Sequence, residues 1–296
     1  MKFNLIYLFL LLGFVVHGQV HKENITKELR FSSQSPENLF ILENINGNVA
    51  VEGYNGQTIV LEVIKTIEAS ENSDLETGKK EIQLGIVEKG DVIWAYMITP
   101  CTKEYTGLTS EELREGRNRN WKENCRWETN YEYQLDFRVK VPQNIMLDVS
   151  TINNGEVTLN NVSGSLIKAN NINGGITLDG IVGDVELNTI NGDLNLTYTK
   201  NPTGKSKYYS LNGDINAFFQ KGLSADLFFE SFSGDFYTSL NNLEALPVEM
   251  KEKREKEKGI AYKIGGKSGV RVGNGQAHLE FETFNGNVYV KEVGGL

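Results

Sequence analysis

The residues that could carry chemistry are few, and the most suggestive grouping is a histidine that alternates with two glutamates. His278, Glu280 and Glu282 fall at every second position, so they would share one face of a strand. A histidine with carboxylates can bind a metal ion. The alternating apolar residues 277–281 would form the opposite, buried face, which favours an ordinary exposed polar surface. We therefore predict no metal site here.

Four aspartates could bind calcium if they stacked at neighbouring turns. Each follows a glycine: Asp184, Asp193, Asp214 and Asp235. Repeat calcium sites use Gly-Gly-x-Gly-x-Asp segments in which carbonyls and carboxylates share the ion. Only one glycine precedes most of these aspartates, so turn capping is the favoured interpretation. A calcium-dependent adhesion module stays open as an alternative.

An enzyme that cleaves polysaccharides would need paired carboxylates on one face of the fold. Asp226 and Glu230 are candidates by residue type only, and no acidic grouping recurs from repeat to repeat. We predict no catalytic residue and no cofactor. A glycan-active lyase or hydrolase remains the alternative function.

Aromatic residues form the last candidate site. Trp94, Tyr96, Trp121 and Trp127 crowd one segment of the chain, and exposed rings on a rigid β surface can stack on sugars or dock a protein. The competing interpretation is that these rings pack around a local hairpin. We predict a possible binding surface at these four residues, with Trp121 the most exposed.

The first 18 residues have the pattern of an export signal. A lysine at position 2, an apolar run over 5–16 and small residues before position 19 are typical of a cleaved leader spanning 1–18. No later stretch is long and apolar enough to span a membrane. The formal net charge is −9, which argues against nucleic acid as a partner. We expect a protein exported to the periplasm, the cell surface or the medium.

The chain has two cysteines, Cys101 and Cys125. In an exported protein one disulfide is the natural expectation. It would close a loop of about 25 residues and contribute about 3–4 kcal/mol on the chain-entropy estimate.

Much of the chain outside the cysteine-containing segment consists of elements that repeat. A short sequence motif, called the phrase below, recurs along the chain. It consists of a large apolar residue, Asn or Ser, Gly, a polar residue and then alternating apolar residues. Its copies are ENINGNVAV, STINNGEVTL, NNINGGITL, NTINGDLNL, YSLNGDINA, ESFSGDFYT and ETFNGNVYV. Alternation with period two predicts short half-buried strands, and glycine after asparagine predicts turns. One such unit cannot bury its own apolar side, so the units must stack.

Two architectures fit, a meander of hairpins or a β-solenoid, and identity at one corner favours the solenoid. We predict an all-β, right-handed solenoid of about 20 residues per coil. The large apolar residues (Ile152, Ile172, Ile190, Leu211, Phe232 and Phe284) should fill the core. The predicted turn ladder consists of Asn153, Asn173, Asn191, Asn212, Gly155, Gly174, Gly192, Gly213, Gly234 and Gly286.

Two insertions interrupt the repeat within a single domain over 19–296. The first, at about 60–145, contains two strand-like stretches at 92–98 and 131–141 that we expect to form a hairpin clamped by the disulfide. The second, at about 241–270, contains KEKREKEK, whose mixed charges predict a solvated loop.

The recurrent phrase, the leader and the closing FETFNGNVYVKE resemble the bacterial putative-adhesin family of exported β-solenoid proteins, common in Bacteroidetes and mostly of undefined function. The resemblance covers about 150–240 and 270–292 well. It implies a fold and an adhesin-like role, and it supplies no catalytic or binding residues. We therefore predict a non-catalytic envelope protein that binds an envelope or extracellular protein or glycan.

Overall fold

A computed structural model describes residues 18–102, 107–115, 122, 125–247, 250–255, 259–264 and 268–294. The predicted leader lies outside these residues except for Gly18, and the first strand begins at Gln19. The described residues form mostly β structure, with two helices, α1 (Asn72–Glu81) and α2 (Ser110–Arg114).

The strands, in chain order, are β1 (Gln19–Leu29), β2 (Leu39–Glu43), β3 (Val49–Tyr54), β4 (Ile59–Ala69), β5 (Gln83–Lys89), β6 (Val92–Ile98), β7 (Tyr131–Pro142), β8 (Met146–Thr151), β9 (Val157–Asn160), β10 (Ser163–Asn173), β11 (Ile176–Asn191), β12 (Leu194–Lys200), β13 (Lys205–Asn212), β14 (Ile215–Phe219), β15 (Ala225–Ser233), β16 (Phe236–Thr238), β17 (Glu244–Ala245), β18 (Met250–Glu255), β19 (Gly259–Ile264), β20 (Ser268–Val272), β21 (Ala277–Asn285) and β22 (Val288–Glu292).

The strands form a curled, solenoid-like sheet with two facing walls. We call the wall ordered β5-β6-β2-β8-β10-β11-β13-β21-β15-β20-β17 the front wall. The back wall runs β1-β4-β7-β3-β9-β11-β12-β14-β22-β16, and the long β11 contributes its second half to the front and its first half to the back. Between them lies one continuous apolar core.

Coils are not stacked in chain order. The coil formed by β21 and β22 lies between that of β13 and β14 and that of β15 and β16. At the other end, the coil of β2 and β3 lies between the coil of β8 and β9 and the coil of β6 and β7. The sequence placed Phe284 after Phe232 in the column, whereas in the structure the coil of Phe284 separates those of Leu211 and Phe232.

The predicted apolar column does not fill the core. Ile172 and Ile190 are 38% and 37% exposed, and Phe232 is 78% exposed. The reason is the phase of the alternation, because Leu187 and Thr189 point inward and the next residue, Ile190, must then point outward. The large apolar residues were predicted to point into the core because of their size. The two-residue period of the strand instead turns their side chains outward.

The first insertion does not form the predicted hairpin. β6 pairs with β5 and β2 in the front wall, whereas β7 pairs with β4 and β3 in the back wall. The Cys101–Cys125 disulfide is present. It closes the connection between the walls. This connection includes α2, whose Leu113 packs with Trp94 and Ile41 against the outer side of the front wall.

The second insertion is also more ordered than a loop. β18 and β19 form an antiparallel hairpin, and β20 pairs antiparallel with β15 before the chain re-enters the solenoid at β21. His21 lies in β1, which pairs with β4 over its whole length.

Candidate functional site

The turn glycines allow neighbouring coils to approach closely. A Cβ on Gly174 would lie 2.2 Å from the carbonyl oxygen of Gly155, and one on Gly192 would lie 2.3 Å from that of Gly174. The same holds at Gly155, Gly213, Gly286 and Gly234, where the distances to the next glycine oxygen are 1.9, 2.1, 2.0 and 1.8 Å. None of these six has a positive φ. Glycine is therefore required by packing between coils and not, as expected, by turn conformation.

Beside the glycines, the asparagines form a hydrogen-bonded ladder. Asn173 Nδ2 donates to Asn153 Oδ1 at 2.7 Å, and Asn191 Nδ2 donates to Asn173 Oδ1 at 2.9 Å. Asn212 continues the series to Asn191 at 3.0 Å, and Asn285 donates to Asn212 at 2.9 Å. The interior amides Asn173, Asn191 and Asn212 each use one donor and one acceptor along the stack, so the ladder fixes the vertical register of the coils.

The residue after the glycine caps the adjacent coil. Asp193 Oδ1 accepts from the backbone N–H of Asp214 at 2.8 Å, and Asp214 Oδ1 accepts from that of Asn287 at 2.7 Å. Asn287 Oδ1 in turn accepts from the N–H of Asp235 at 3.0 Å, and Asp184 accepts from Gly204 at 3.1 Å. Carboxylates engaged in this way act as turn caps.

A second polar column runs inside the corner. Thr189 Oγ1 and Ser210 Oγ are buried and each donates at 2.9 Å to a glycine carbonyl of the adjacent coil. Thr151 Oγ1 and Asn171 Nδ2 do the same at 2.9 and 3.0 Å. These residues precede the large apolar residue of each phrase. The small polar character of this position was visible in the sequence, but its inward direction was not recognised.

The large apolar residues therefore form a partly exposed row on the outside of the corner. We call Ile45, Ile152, Ile172, Ile190, Leu211, Phe284 and Phe232, in stacking order, the corner ridge. Ile45, Ile152 and Leu211 are half-buried, and exposure is greatest at one end, with 44% at Phe284 and 78% at Phe232. Soluble proteins expose single apolar residues routinely, but a continuous row is typical of a contact surface.

Aromatic pairs terminate this end of the solenoid. Phe232 and Phe284 stack with ring centroids 4.6 Å apart and planes within 3°. On the back wall, Tyr237 and Tyr289 stack at 5.1 Å, and Lys291 Nζ lies 5.5 Å from the ring centroid of Tyr289. Flat exposed rings of this kind can contact a sugar or another side chain.

The predicted aromatic surface is not exposed as expected. Trp94 is fully buried and stacks on Tyr96 at 4.3 Å, where burial raises the pKa of the tyrosine. Trp127 packs partly against the core and donates from Nε1 to Glu81 at 3.2 Å. Trp121 lies outside the described residues. The apolar composition of β6 reflects burial on both sides.

Of the two acidic candidates, Asp226 is bound by a structural partner, and Glu230 lies on β15 opposite Glu282 of β21. Asp226 accepts two hydrogen bonds from Arg271, at 2.6 and 2.7 Å, and these hold the pKa of the Asp226 carboxyl below its usual range. His278 and Lys205 lie 2.7 and 3.1 Å from Glu280 Oε1. Such contacts build a self-compensating charged surface on the front wall.

One shallow groove holds two carboxylates. It measures about 560 Å³ and lies on the back wall near the corner, lined by Asn46, Thr66, Glu68, Thr129, Tyr131, Glu132, Tyr133, Gln134 and Asn154. Glu68 and Glu132 stand directly opposite each other on β4 and β7. Both are exposed, whereas the acid of a glycosidase requires an apolar surrounding.

The described residues hold neither a metal-binding cluster nor a membrane-spanning helix. No group of three or more His, Cys, Asp and Glu in that part of the chain is arranged to hold a metal ion. No helix there is both long and apolar enough to cross a membrane.

Comparison with known proteins gives one family. The family profile described as Toastrack DUF4097 matches residues 143–290, half of the chain. Among solved structures, a putative cell adhesion protein from Clostridium sporogenes is 13% identical, with 92% of this chain and 100% of that chain covered and a TM-score of 0.42. A putative adhesin from Bacteroides fragilis is 10% identical, with 91% and 97% covered and a TM-score of 0.34. No curated protein matches the chain at a significant level.

Proposed function

The chain belongs to the Toastrack DUF4097 family, and from that premise we propose that it is a non-catalytic, exported protein of the cell envelope that binds through a repetitive surface. The proposal includes removal of residues 1–18 on export and a single domain over 19–296. It also includes right-handed winding and about 20 residues per coil, and the parallel pairing of Asn171 with Thr151 and Thr189 supports the coil length.

The observation that carries the proposal is the corner ridge. Full burial of a phenylalanine ring contributes about 1.5–3 kcal/mol, and Phe232 and Phe284, which are 78% and 44% exposed, forgo a corresponding part of it. The fold has inward positions at this corner, and they are filled by small polar residues such as Thr189 and Ser210. An apolar row placed outside a well-filled core supports docking of a ligand along the corner, either a protein or a glycan of the envelope or exterior.

Attachment of protein-coated beads tests this function. We expect beads carrying the purified protein to attach to intact cells of the producing bacterium or to a glycan array. Phe232→Ser should reduce attachment at least about tenfold, which corresponds to losing roughly 1.4 kcal/mol or more at a contact. Val293→Ser is the matched control, since Val293 is 44% exposed but lies off the ridge. Equal attachment by all three proteins would refute the ridge as the binding surface.

The glycan-active enzyme remains a second candidate because of the Glu68–Glu132 groove. Incubation with envelope polysaccharides should release no new reducing ends if the protein is non-catalytic. Release that disappears in both Glu68→Gln and Glu132→Gln would establish the enzyme instead.

The calcium-dependent alternative has a simple test. Because the turn carboxylates cap backbone amides, we expect the same melting temperature in calcium and in EDTA. A rise of several degrees in calcium would support a calcium module.

A further inference from the structure

The first strand, β1, leaves one long edge of the back wall open. Its eleven residues pair antiparallel with β4 from Gln19↔Ala69 to Leu29↔Ile59. No other described strand has a residue-by-residue pairing with β1. Most of its side chains are exposed. β1 therefore presents backbone N–H and C=O groups along about 36 Å of straight edge.

Charged side chains usually keep an edge strand of this length from pairing with another chain. The charges of β1 are instead arranged in opposite order on the two sides of Ile25. Lys22 and Glu23 precede Ile25 by three and two residues, and Lys27 and Glu28 follow it by two and three. Reversing the strand about Ile25 exchanges every positive charge with a negative one. When two such strands pair antiparallel with Ile25 at the centre, no two like charges face each other.

This self-complementarity holds in one register. With Ile25 opposite Ile25, Lys22 faces Glu28 and Glu23 faces Lys27, which gives four opposite-charge pairs across the symmetric contact. Centring on Glu23 places that carboxylate against itself, and centring on Thr26 places Lys22 against Arg30. Centring on Asn24 leaves every one of the four charges opposite an uncharged or histidine side chain. Opposite charges directly across a β ladder stabilise pairing and like charges oppose it.

We propose that β1 pairs with β1 of a second copy of this chain, antiparallel and with the twofold axis at Ile25. The back walls of the two copies then form one continuous sheet. The contact is isologous, so it closes as a dimer and leaves no further edge of this kind exposed.

The edge of β1 that faces the protein is held by an ion pair to the neighbouring strand. Glu23 lies 3.5 Å from Lys65, whose side chain is 2% exposed and whose Nζ also donates to the carbonyl of Lys79 in α1 at 2.8 Å. These contacts attach β1 to β4 and α1, so the open edge is held straight before a partner arrives. Pairing along one strand buries less area than a standard interface, so we expect a dimer whose population rises with concentration.

Charge reversal at Lys22 and Glu28 tests the register. Both side chains are exposed, and neither forms an ion pair within the part of the chain that the structure describes. Lys22→Glu places two carboxylates opposite each other at two symmetric positions, and Glu28→Lys does the same with two ammonium groups. Glu23 is left unchanged because it is the counterion of buried Lys65.

Sedimentation equilibrium of the purified protein should show a dimer that dissociates on dilution. Each single variant should raise the dissociation constant at least about tenfold, since two pairs change from attraction to repulsion. The double variant K22E/E28K restores opposite charges in the same register and should return to the wild-type constant. An equimolar mixture of the two single variants should form heterodimers.

A wild-type protein that stays monomeric up to about 100 μM, a weak limit for a specific contact, would overturn the proposal. So would a dimer in which the double variant behaves no better than the single ones. Because the double variant carries both substitutions, its recovery separates loss of pairing from loss of folding.

Discussion

A Cβ on Gly192 would overlap the carbonyl oxygen of Gly174, since the two would lie only 2.3 Å apart. The corner of each coil thus packs backbone against backbone. This contact explains why glycine recurs at a position whose φ any residue could adopt.

Replacing Gly192 with alanine should destabilise the protein by about 2–3 kcal/mol, because the added methyl meets backbone that cannot rotate away. Chemical denaturation with urea would measure the loss. The control is Gly222→Asn, where a Cβ meets nothing within 4 Å and φ is +82°, a conformation that asparagine tolerates. A loss below about 1 kcal/mol in both variants would contradict the close-approach explanation.

The asparagine ladder predicts a graded effect of position. Asn191 both donates to Asn173 and accepts from Asn212, whereas Asn285 makes one ladder bond, to Asn212. Asn191→Ala should therefore cost about twice as much as Asn285→Ala. We expect about 1–2 kcal/mol against 0.5–1 kcal/mol, at the low end of hydrogen-bond contributions because the ladder is exposed. Thermal unfolding of both variants checks the ratio, and equal losses would show that the ladder does not act as a chain of bonds.

The direction of the side chains on β11 predicts opposite outcomes at two apolar residues three positions apart. Leu187 is 1% exposed and Ile190 is 37% exposed. Leu187→Ala should cost about 2–5 kcal/mol through lost burial and a cavity, whereas Ile190→Ala should cost below about 1 kcal/mol. Urea denaturation distinguishes them. A larger loss at Ile190 would restore the expectation that the large residue of the phrase points inward.

Two buried tyrosines predict a loss of stability in alkali. The hydroxyls of Tyr198 and Tyr208 lie 2.8 Å apart in the core, and burial raises the pKa of both phenols. The folded-state pKa of each phenol exceeds the unfolded value of about 10. The stability that the two neutral phenols contribute is therefore fully present below pH 10 and is lost as the pH rises above 10.

Melting temperatures between pH 8 and 11.5 measure this effect. The variant Y198F/Y208F removes both titrating groups and both ends of the hydrogen bond, so it should be nearly as stable at pH 8. It should also lose less stability than the wild type above pH 10. Parallel curves for the two proteins would show that other groups control alkaline unfolding.

Much of the fold could be predicted because the repeat is local. Alternation and the Asn-Gly phrase indicated stacked β units, and the two cysteines indicated the disulfide that joins Cys101 and Cys125. The stacking of Asn173 between Asn153 and Asn191 also followed, since equal residues at equal positions stack when units repeat.

The candidate site was harder to predict from the sequence than the fold. Size suggested that Ile190 belongs in the core, whereas the alternation continuing from Leu187 already placed it outside. Trp94 was predicted as a surface residue because aromatic residues crowd its segment of the chain. Its burial depends on α2 and the disulfide-closed connection, which follow β6 in the chain and fold back over the outer side of the front wall.

The sequence by itself determined that this protein stacks short strands at Asn-Gly corners, because turn residues and the strand period act within a few positions. Only the tertiary structure decided which coils are neighbours. Residues 277–292 lie between the coils of 205–219 and 225–238, and near-identical phrases offer near-identical pairing energies. The choice among them therefore rests on the packing of the whole core and on the connections that return the chain to it.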